Sequence, residues 1–290
     1  MRIADKWKDY ELIDTSSGER LERWGGVILI RPDPQVIWRT EKKHPLWKQY
    51  DARYIRSSSG GGNWDIHKKI PDSWKIQYEN LKFNIKPMGF KHTGLFPEQA
   101  VNWDRMADLI RGAGRPINVL NLFAYTGGAT IVCLSAGAHV THVDASKGMT
   151  AWAKENAAAS GMSRDMQRWI VEDCLKFVAR EARRGNKYDA ILMDPPSYGR
   201  GPAGEVWHLE DSIHEMIIQS AALLSDNPLF FVVNSYSTGL SSSVMGYIAS
   251  VSIKDKWRNM QIDADEIGLP VTSTGLALPC GSTCFCQNDS

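Results

Sequence analysis

The segment Asp194-Pro195-Pro196-Ser197-Tyr198-Gly199-Arg200-Gly201 concentrates more chemistry than any other stretch of this 290-residue chain. Two consecutive prolines remove two backbone donors and stiffen the turn, which leaves carbonyl oxygens and the Asp194 carboxylate as acceptors. Such acceptors can hold an exocyclic amine by its hydrogens while the Tyr198 ring stacks on a base, presenting the nitrogen lone pair to an electrophile. Arg200 offers a phosphate contact. A second segment, Asn121-Leu122-Phe123-Ala124-Tyr125-Thr126-Gly127-Gly128-Ala129, carries two glycines that allow close backbone approach. Their spacing is not the G-x-G-x-x-G of a pyrophosphate site, so a dinucleotide-dependent dehydrogenase is not favoured.

The pattern from residue 97 onward places both segments. It predicts a helix to about 110, a strand at 117–122, a helix from 129, a strand at 139–143, a helix at 146–160, a strand at 168–171 and a helix at 174–183. A strand at 189–193, a helix at 211–224, a strand at 229–233, a helix at 242–251 and strands near 259–264 and 275–278 complete it. Alternating strands and helices predict a parallel sheet covered on both faces, with ligands bound beyond the carboxyl ends of the strands where strand order reverses. Two acids stand at such ends. Asp144, 17 residues beyond Gly127, can accept both hydroxyls of a ribose, a task shared by nicotinamide and S-adenosylmethionine sites. Glu172-Asp173 follows the third strand, where a carboxylate can take an adenine amino group; an acid at either place also serves as a helix cap.

Composition separates the first hundred residues from the rest. They hold 18 Lys and Arg against 13 Asp and Glu, while 101–290 hold 16 against 20, although the whole chain carries only +1. Six of the eleven tryptophans (Trp7, Trp24, Trp38, Trp47, Trp64, Trp74) lie there among Arg39, Lys42, Lys43, Lys48, Arg53, Arg56, Lys68 and Lys69. Basic groups among aromatics suit a nucleic-acid surface, and tryptophan equally supplies the core of a small β-rich unit. Strands are predicted at 27–30, 74–78 and 81–85, and the Ser57 to Asn63 stretch predicts a flexible loop. No apolar run approaches the roughly 18 residues of a membrane span, and residues 1–14 are charged without a signal-peptide core, so a cytoplasmic protein is expected.

Taken together, these motifs resemble those of class I S-adenosylmethionine-dependent methyltransferases, and within them the bacterial large-subunit ribosomal RNA methyltransferase family, over roughly residues 80–280. The motifs are His92-Thr93-Gly94-Leu95-Phe96-Pro97-Glu98-Gln99, the 121–128 segment, Val143-Asp144-Ala145-Ser146, Glu172-Asp173 and Asp194-Pro195-Pro196-Ser197-Tyr198. The resemblance implies an α/β, Rossmann-like seven-stranded sheet with its last strand antiparallel, in a methyltransferase domain at 101–290. A smaller β-rich domain would occupy 1–100, its 93–99 segment folding over the cofactor. It also implies S-adenosylmethionine as cofactor, touched by Thr93, Gly94, Phe96 and Gln99. Asn121, Phe123, Ala124, Tyr125, Thr126 and Gly127 would meet its methionine end, Asp144, Ala145 and Ser146 its ribose, and Asp173 and Cys174 its adenine. Asp194, Pro195, Pro196 and Tyr198 would form the catalytic set, with RNA, ribosomal in kind, as substrate. No membrane partner is implied, and self-association is left open.

The first ninety residues show no recognisable RNA-binding module. Methylating carbon 5 of a pyrimidine needs a thiolate that adds at carbon 6, and relatives of that type carry Cys after the fourth or fifth strand. Here those places read Asp194-Pro195-Pro196-Ser197 and Asn234-Ser235-Tyr236-Ser237, which points to a base nitrogen as the acceptor. The alternatives are an RNA 5-methylcytosine methyltransferase, a methyltransferase of a small molecule or protein, and an RNA-binding module that keeps the cofactor fold without turnover. Cys280, Cys284 and Cys286 supply three thiols without a placed fourth ligand, and no metal is expected.

Overall fold

Strands in the first hundred residues rest on charge pairs as much as on apolar alternation. The computed structural model describes residues 1–57, 61–200, 206–237, 239–254 and 256–288, without the Arg200 side chain. The Arg200 phosphate contact and residues 58–60 of the predicted 57–63 loop therefore lie outside the described residues. Strand β1 (Arg2–Ile3) comes first, followed by β2 (Tyr10–Ser16), β3 (Glu19–Trp24), β4 (Val27–Pro32), β5 (Ala52–Arg56) and β6 (Gly62–Ile66). Strands β2 to β6 form a five-stranded sheet in chain order, antiparallel except for the β4–β5 pair. A separate antiparallel pair joins β7 (Trp74–Tyr78) to β8 (Leu81–Ile85), as predicted.

Inside this unit Glu22 is fully buried, and its carboxylate accepts from Arg31 Nε at 2.6 Å, Arg31 Nη2 at 2.8 Å and the Tyr10 hydroxyl at 2.8 Å. Burial alone would raise this carboxyl; the Arg31 and Arg20 guanidiniums and the bonds from Arg31 and Tyr10 outweigh it and hold the group below the usual carboxylate range. Arg20 pairs in turn with Asp33.

The tryptophans brace the same unit through their indole N–H groups. Trp7 donates its indole N–H to the Pro97 carbonyl, Trp47 to Asp14, Trp64 to Met88 and Trp74 to Trp24, all at 2.8 to 2.9 Å. Trp38 donates to Thr15 at 3.2 Å. Basic neighbours are engaged as well: Lys42 and Arg53 share Glu19, Lys68 pairs with Asp51 and Lys43 with Glu41. Trp24 and Trp47 are core residues, Trp7, Trp64 and Trp74 are half-buried cross-braces, and Trp38 stays exposed.

From α1 (Ala100–Gly112) the alternation holds through β9 (Asn118–Leu122), α2 (Gly128–Ser135), β10 (His139–Asp144), α3 (Lys147–Ala159), β11 (Gln167–Val171), α4 (Cys174–Arg184) and β12 (Ala190–Met193). A short hairpin, β13 (Tyr198–Arg200) and β14 (Val206–His208), precedes α5 (Leu209–Ala221), β15 (Phe230–Ser235), α6 (Ser242–Ile253), β16 (Met260–Pro270) and β17 (Ala277–Asn288). The sheet order is β1-β16-β17-β15-β12-β9-β10-β11, with β9 to β12 and β15 parallel and β17 antiparallel to β15. The seven expected strands are therefore present with the last one reversed, and β1 adds an eighth at the edge. Alternate residues Leu120, Leu122, Ile191, Met193, Phe231, Val233, Cys284 and Cys286 line one face and pack with Phe177 and Val178 of α4, Ile213 and Met216 of α5 and Met245 and Ile253 of α6. Two of the C-terminal thiols are thus core side chains on a strand, their spacing of two residues being the sheet's own period.

Two compact units result: Arg2–Ala100 with Gly268–Cys280, and Val101–Ile267 with Met1 and Gly281–Ser290. Residues 268–280, assigned from sequence to the C-terminal domain, pack with the N-terminal strands. Thr272 and Ser273 donate their backbone N–H groups to the Leu12 and Ile13 carbonyls, and the Ser273 hydroxyl bonds Asp14 at 2.8 Å.

Candidate active site

Strand order reverses between β9 and β12, which lie side by side with Leu122 opposite Met193. The chain leaves β9 into the 123–127 loop and leaves β12 into the Asp-Pro-Pro turn, and the Asp194 N–H reaches the Leu122 carbonyl at 3.4 Å. The parallel-sheet rule therefore brings the two segments chosen from sequence to one crevice.

The loop is held in an uncommon backbone. Phe123, Tyr125 and Gly127 all have left-handed φ, at 55°, 50° and 81°. For the two aromatic residues this conformation is strained and must be imposed by the surroundings. The Phe123 N–H donates to Cys174 Sγ at 3.3 Å, the Ala124 N–H to the Val143 carbonyl at 3.1 Å and the Tyr125 N–H to Asp144 Oδ2 at 2.8 Å. From α3, the fully buried Asn156 donates to the Thr126 carbonyl at 3.0 Å. At Gly127 a Cβ would meet Ala153 Cβ at 2.9 Å, so glycine is required there by closeness as well as by φ.

Asp144 does two jobs at once. Its Oδ2 accepts from Tyr125 and its Oδ1 from the Ser146 N–H at 2.8 Å, while Ser146 caps α3. A carboxylate has about four lone-pair sites, so each oxygen keeps capacity for a hydroxyl donor. Burial raises this carboxyl, and the two backbone bonds offset that only in part. Next along the sheet, Glu172 is paired with Arg180 at 2.5 Å, while Asp173 Oδ1 caps α4 through the Lys176 N–H at 3.0 Å. Each of the two acids thus has one oxygen engaged, Glu172 by a guanidinium and Asp173 by a backbone N–H.

Not every residue named from sequence faces the crevice. Asn121 is buried beneath the loop and donates to Thr130, which bonds His142; burial lowers the His142 imidazole to about 3, so it is neutral. Thr126 is likewise buried, leaving its backbone to shape the loop. Cys174 works as the acceptor for Phe123, with its thiol pushed up by burial. Thr93, Gly94, Phe96 and Gln99 belong to the N-terminal unit, where Pro97–Gln99 forms a single 3-10 turn and Gly94 has φ 102°. There the buried Thr93 Oγ1 has no hydrogen-bond partner among the described residues.

At the Asp-Pro-Pro turn, Pro195 is buried and Pro196 exposed. The Pro196 carbonyl is already engaged, since Trp207 Nε1 donates to it at 2.6 Å. Tyr198 stands opposite His208 in the hairpin, edge-on at 5.2 Å and about half exposed. The ring that packs on the loop is instead Trp207, 5.7 Å from Phe123. Sequence inspection missed Trp207, whose only signal was a lone large aromatic downstream of the turn.

Residues 38–224 match a family described as S-adenosylmethionine-dependent methyltransferase. The chain belongs to that family, and S-adenosylmethionine is its cofactor. It is similar over 99% of its length to a SAM-dependent methyltransferase from Agrobacterium tumefaciens, with a TM-score of 0.93, 34% identity and 93% of that chain covered. It is 36% identical over 148 residues to a ribosomal RNA large subunit methyltransferase K/L of Shewanella frigidimarina, a match covering 50% of this chain and 20% of that protein. A ribosomal RNA large subunit methyltransferase K of Neisseria meningitidis is 27% identical over 258 residues, 83% of this chain and 72% of that one. The chain thus spans only about a fifth of the K/L relatives' length.

The crevice fits the cofactor by its donor and acceptor chemistry: two carboxylates with spare acceptor capacity at the ends of β10 and β11 suit the hydroxyl and amino donors of an adenosine, and the strained loop lies on the β9 side of them. Among the described residues no three His, Cys, Asp or Glu side chains converge as a metal site would require, and no helix is long and apolar enough to cross a membrane.

Proposed function

We propose that this methyltransferase modifies a base nitrogen of large-subunit ribosomal RNA, using the turn after β12 to present the acceptor. The observation that carries this is the backbone of Asp194, whose N–H meets the Leu122 carbonyl at 3.4 Å and so ties the start of the acceptor turn to the β9 end from which the cofactor loop leaves. S-adenosylmethionine supplies the activated methyl group. The chain contributes orientation: Asp144 accepts the ribose hydroxyls, Asp173 the adenine amine, and Asp194 with the Pro195 carbonyl holds the acceptor nitrogen in line. Positioning of this kind can lower a barrier by about 7–11 kcal/mol. The activities named for the K/L and K relatives support ribosomal RNA as substrate; a ribosomal substrate in a bacterium would put the place of action in the cytoplasm. Thr93, Gly94, Phe96 and Gln99 enter the proposal as a cover over the cofactor on the strength of the motif resemblance.

The thiols support nitrogen over carbon. All five cysteines are buried, and burial pushes Cys133 up to about 12 and raises Cys174 and Cys280 as well. A buried thiol kept protonated is a poor nucleophile toward a pyrimidine ring. The test is mass spectrometry of nucleosides from ribosomal RNA of deletion and wild-type cells, with trapping on 5-fluoropyrimidine RNA. A missing nitrogen-methylated nucleoside and no covalent adduct are expected. An adduct through any cysteine, or loss of 5-methylcytidine, overturns the nitrogen assignment; unchanged RNA with an altered protein or small-molecule methyl acceptor overturns the substrate.

A further inference from the structure

The β13–β14 hairpin has two unlike faces. Tyr198 and His208 are paired across it and project together, and the next pair, Gly199 and Trp207, projects the opposite way, because successive residues of a strand alternate. On that second face glycine supplies no side chain, so the indole lies unobstructed against the turn and the loop: a Cβ at Gly199 would stand 3.7 Å from Trp207 Cβ and 3.8 Å from Pro196 Cγ.

Trp207 touches two different partners. Its N–H donates to the Pro196 carbonyl at 2.6 Å, and its ring packs on Phe123 at 5.7 Å and an interplanar angle of 46°. Phe123 is the first left-handed residue of the cofactor loop, fixed from below by Cys174. One side chain therefore meets both the segment that holds the acceptor and the segment that holds the methyl donor. The hairpin that carries it is anchored by the Leu209 N–H, which donates to the Ser197 carbonyl at 3.1 Å.

We propose that Trp207 is a positioning residue for methyl transfer: its indole N–H engages the Pro196 carbonyl and fixes the Asp194-Pro195-Pro196 turn, while its ring registers that turn against the Phe123 loop. This deepens the function proposed above and rests on it for the identity of the two segments. Without the N–H, the Pro196 carbonyl competes with the Pro195 carbonyl and Asp194 for the acceptor, and misaligned encounters rise. Trp207 does not touch the reacting atoms, so its removal lowers turnover more than it weakens binding.

The experiment uses the full chain. Trp207→Phe keeps a ring on Phe123 and removes the N–H; methylation of unmodified large-subunit ribosomal RNA should show kcat falling about 3- to 10-fold, the worth of one hydrogen bond, with S-adenosylhomocysteine affinity within about 2-fold. Trp207→Leu removes both interactions and should lower kcat further and also weaken S-adenosylhomocysteine. Independently of activity, an indole nitrogen NMR spectrum should contain one downfield, slowly exchanging N–H that is absent in Trp207→Phe and shifts when S-adenosylhomocysteine is added. Wild-type kcat in Trp207→Phe, or a Trp207 N–H that exchanges as fast as an exposed indole, overturns the inference. If the wild-type protein methylates no RNA, the substrate proposal fails, and the N–H exchange and its response to S-adenosylhomocysteine still decide the role of Trp207.

Discussion

The N-terminal strands and the strand ends of the C-terminal sheet treat polar groups in opposite ways. In the N-terminal unit most charged and aromatic polar groups meet partners from the same unit: Glu22 takes three donors, Arg20 takes Asp33, and five of the six indole N–H groups are satisfied by backbone or side-chain acceptors, the buried Trp24 N–H being the exception among the described residues. At the ends of β9, β10 and β11 the backbone is strained at Phe123 and Tyr125, and Asp144 and Asp173 each use part of their acceptor capacity locally. A self-satisfied network stabilises, while a preorganised and incompletely satisfied one binds. The sequence shows basic and aromatic residues in the first region and acids in the second, yet composition alone does not reveal which groups are already paired.

The sharpest way to break this comparison is Glu22→Ala. It would leave Arg31 buried without its bidentate partner, and removing one member of a buried pair typically costs about 3–5 kcal/mol. Denaturant unfolding of the full chain measures it; a destabilisation below about 1 kcal/mol would show that the network is ornamental. The same carboxyl sets a pH dependence. Because the folded state holds Glu22 and Asp33 below their ordinary values, their contribution is fully present above about pH 4 and is lost as pH falls through the lowered folded values. Glu22→Gln should flatten that acid limb.

In the second region the largest effect is expected from Asp194→Ala, with turnover falling by about 100-fold or more because the acceptor loses its orienting group, and with S-adenosylhomocysteine affinity changed less than about 2-fold. A parallel fall in cofactor affinity would place Asp194 in the cofactor site. Asp144→Ala should show the converse split. Its hydrogen bonds to hydroxyls involve a charged group and are worth about 1.5–3 kcal/mol each, so calorimetry should register roughly 10- to 100-fold weaker S-adenosylhomocysteine. Since burial raises this carboxyl, wild-type affinity should begin to fall on acidification before an ordinary aspartate would protonate. The sign is opposite to that of Glu22: here the folded state favours the proton, so the stability contribution is present at low pH and is lost as pH rises through the raised value.

How much of this was legible varied with the source of order. Buried parallel strands such as Ala190–Met193 and Phe230–Ser235 announce themselves as continuous apolar runs, so the sheet and its strand ends were readable. Strands β2 and β3 were not, because buried Asp14, Glu22 and neighbouring Arg20 interrupt the alternation that marks a strand. Their apolar signal is replaced by ion pairs made with residues as far away as Arg31 and Asp33. The 268–280 hairpin was assigned to the wrong partner for a related reason: its bonds go to Leu12, Ile13 and Asp14, some 260 positions upstream. At the site, the motif residues were chosen by type and spacing. Trp207 escaped because its importance lies in what its N–H and ring touch, and a spacing from Pro196 of eleven residues across a hairpin carries no local signature.

The smallest expected effects separate paired from unpaired cations in the N-terminal unit. Lys42 is bound to Glu19 and lies over the Trp47 ring at 4.1 Å, so Lys42→Glu should lower thermal stability by setting a second carboxylate beside Glu19. Arg39, Lys48, Arg56 and Lys69 are exposed and carry no ion pair among the described residues. If this unit meets the phosphates of the proposed RNA substrate, these are the groups available to do so. Charge reversal at Arg56 and Lys69 should leave thermal stability within about 0.5 kcal/mol. It should reduce the slope of log affinity against log salt by about 0.7–0.9 for each phosphate that is no longer neutralised, whereas Lys42→Glu should leave that slope nearly unchanged. A salt slope indifferent to all four exposed cations would mean that they are a solvated face, and that phosphate recognition, like the acceptor turn, belongs to the unit built on the parallel sheet.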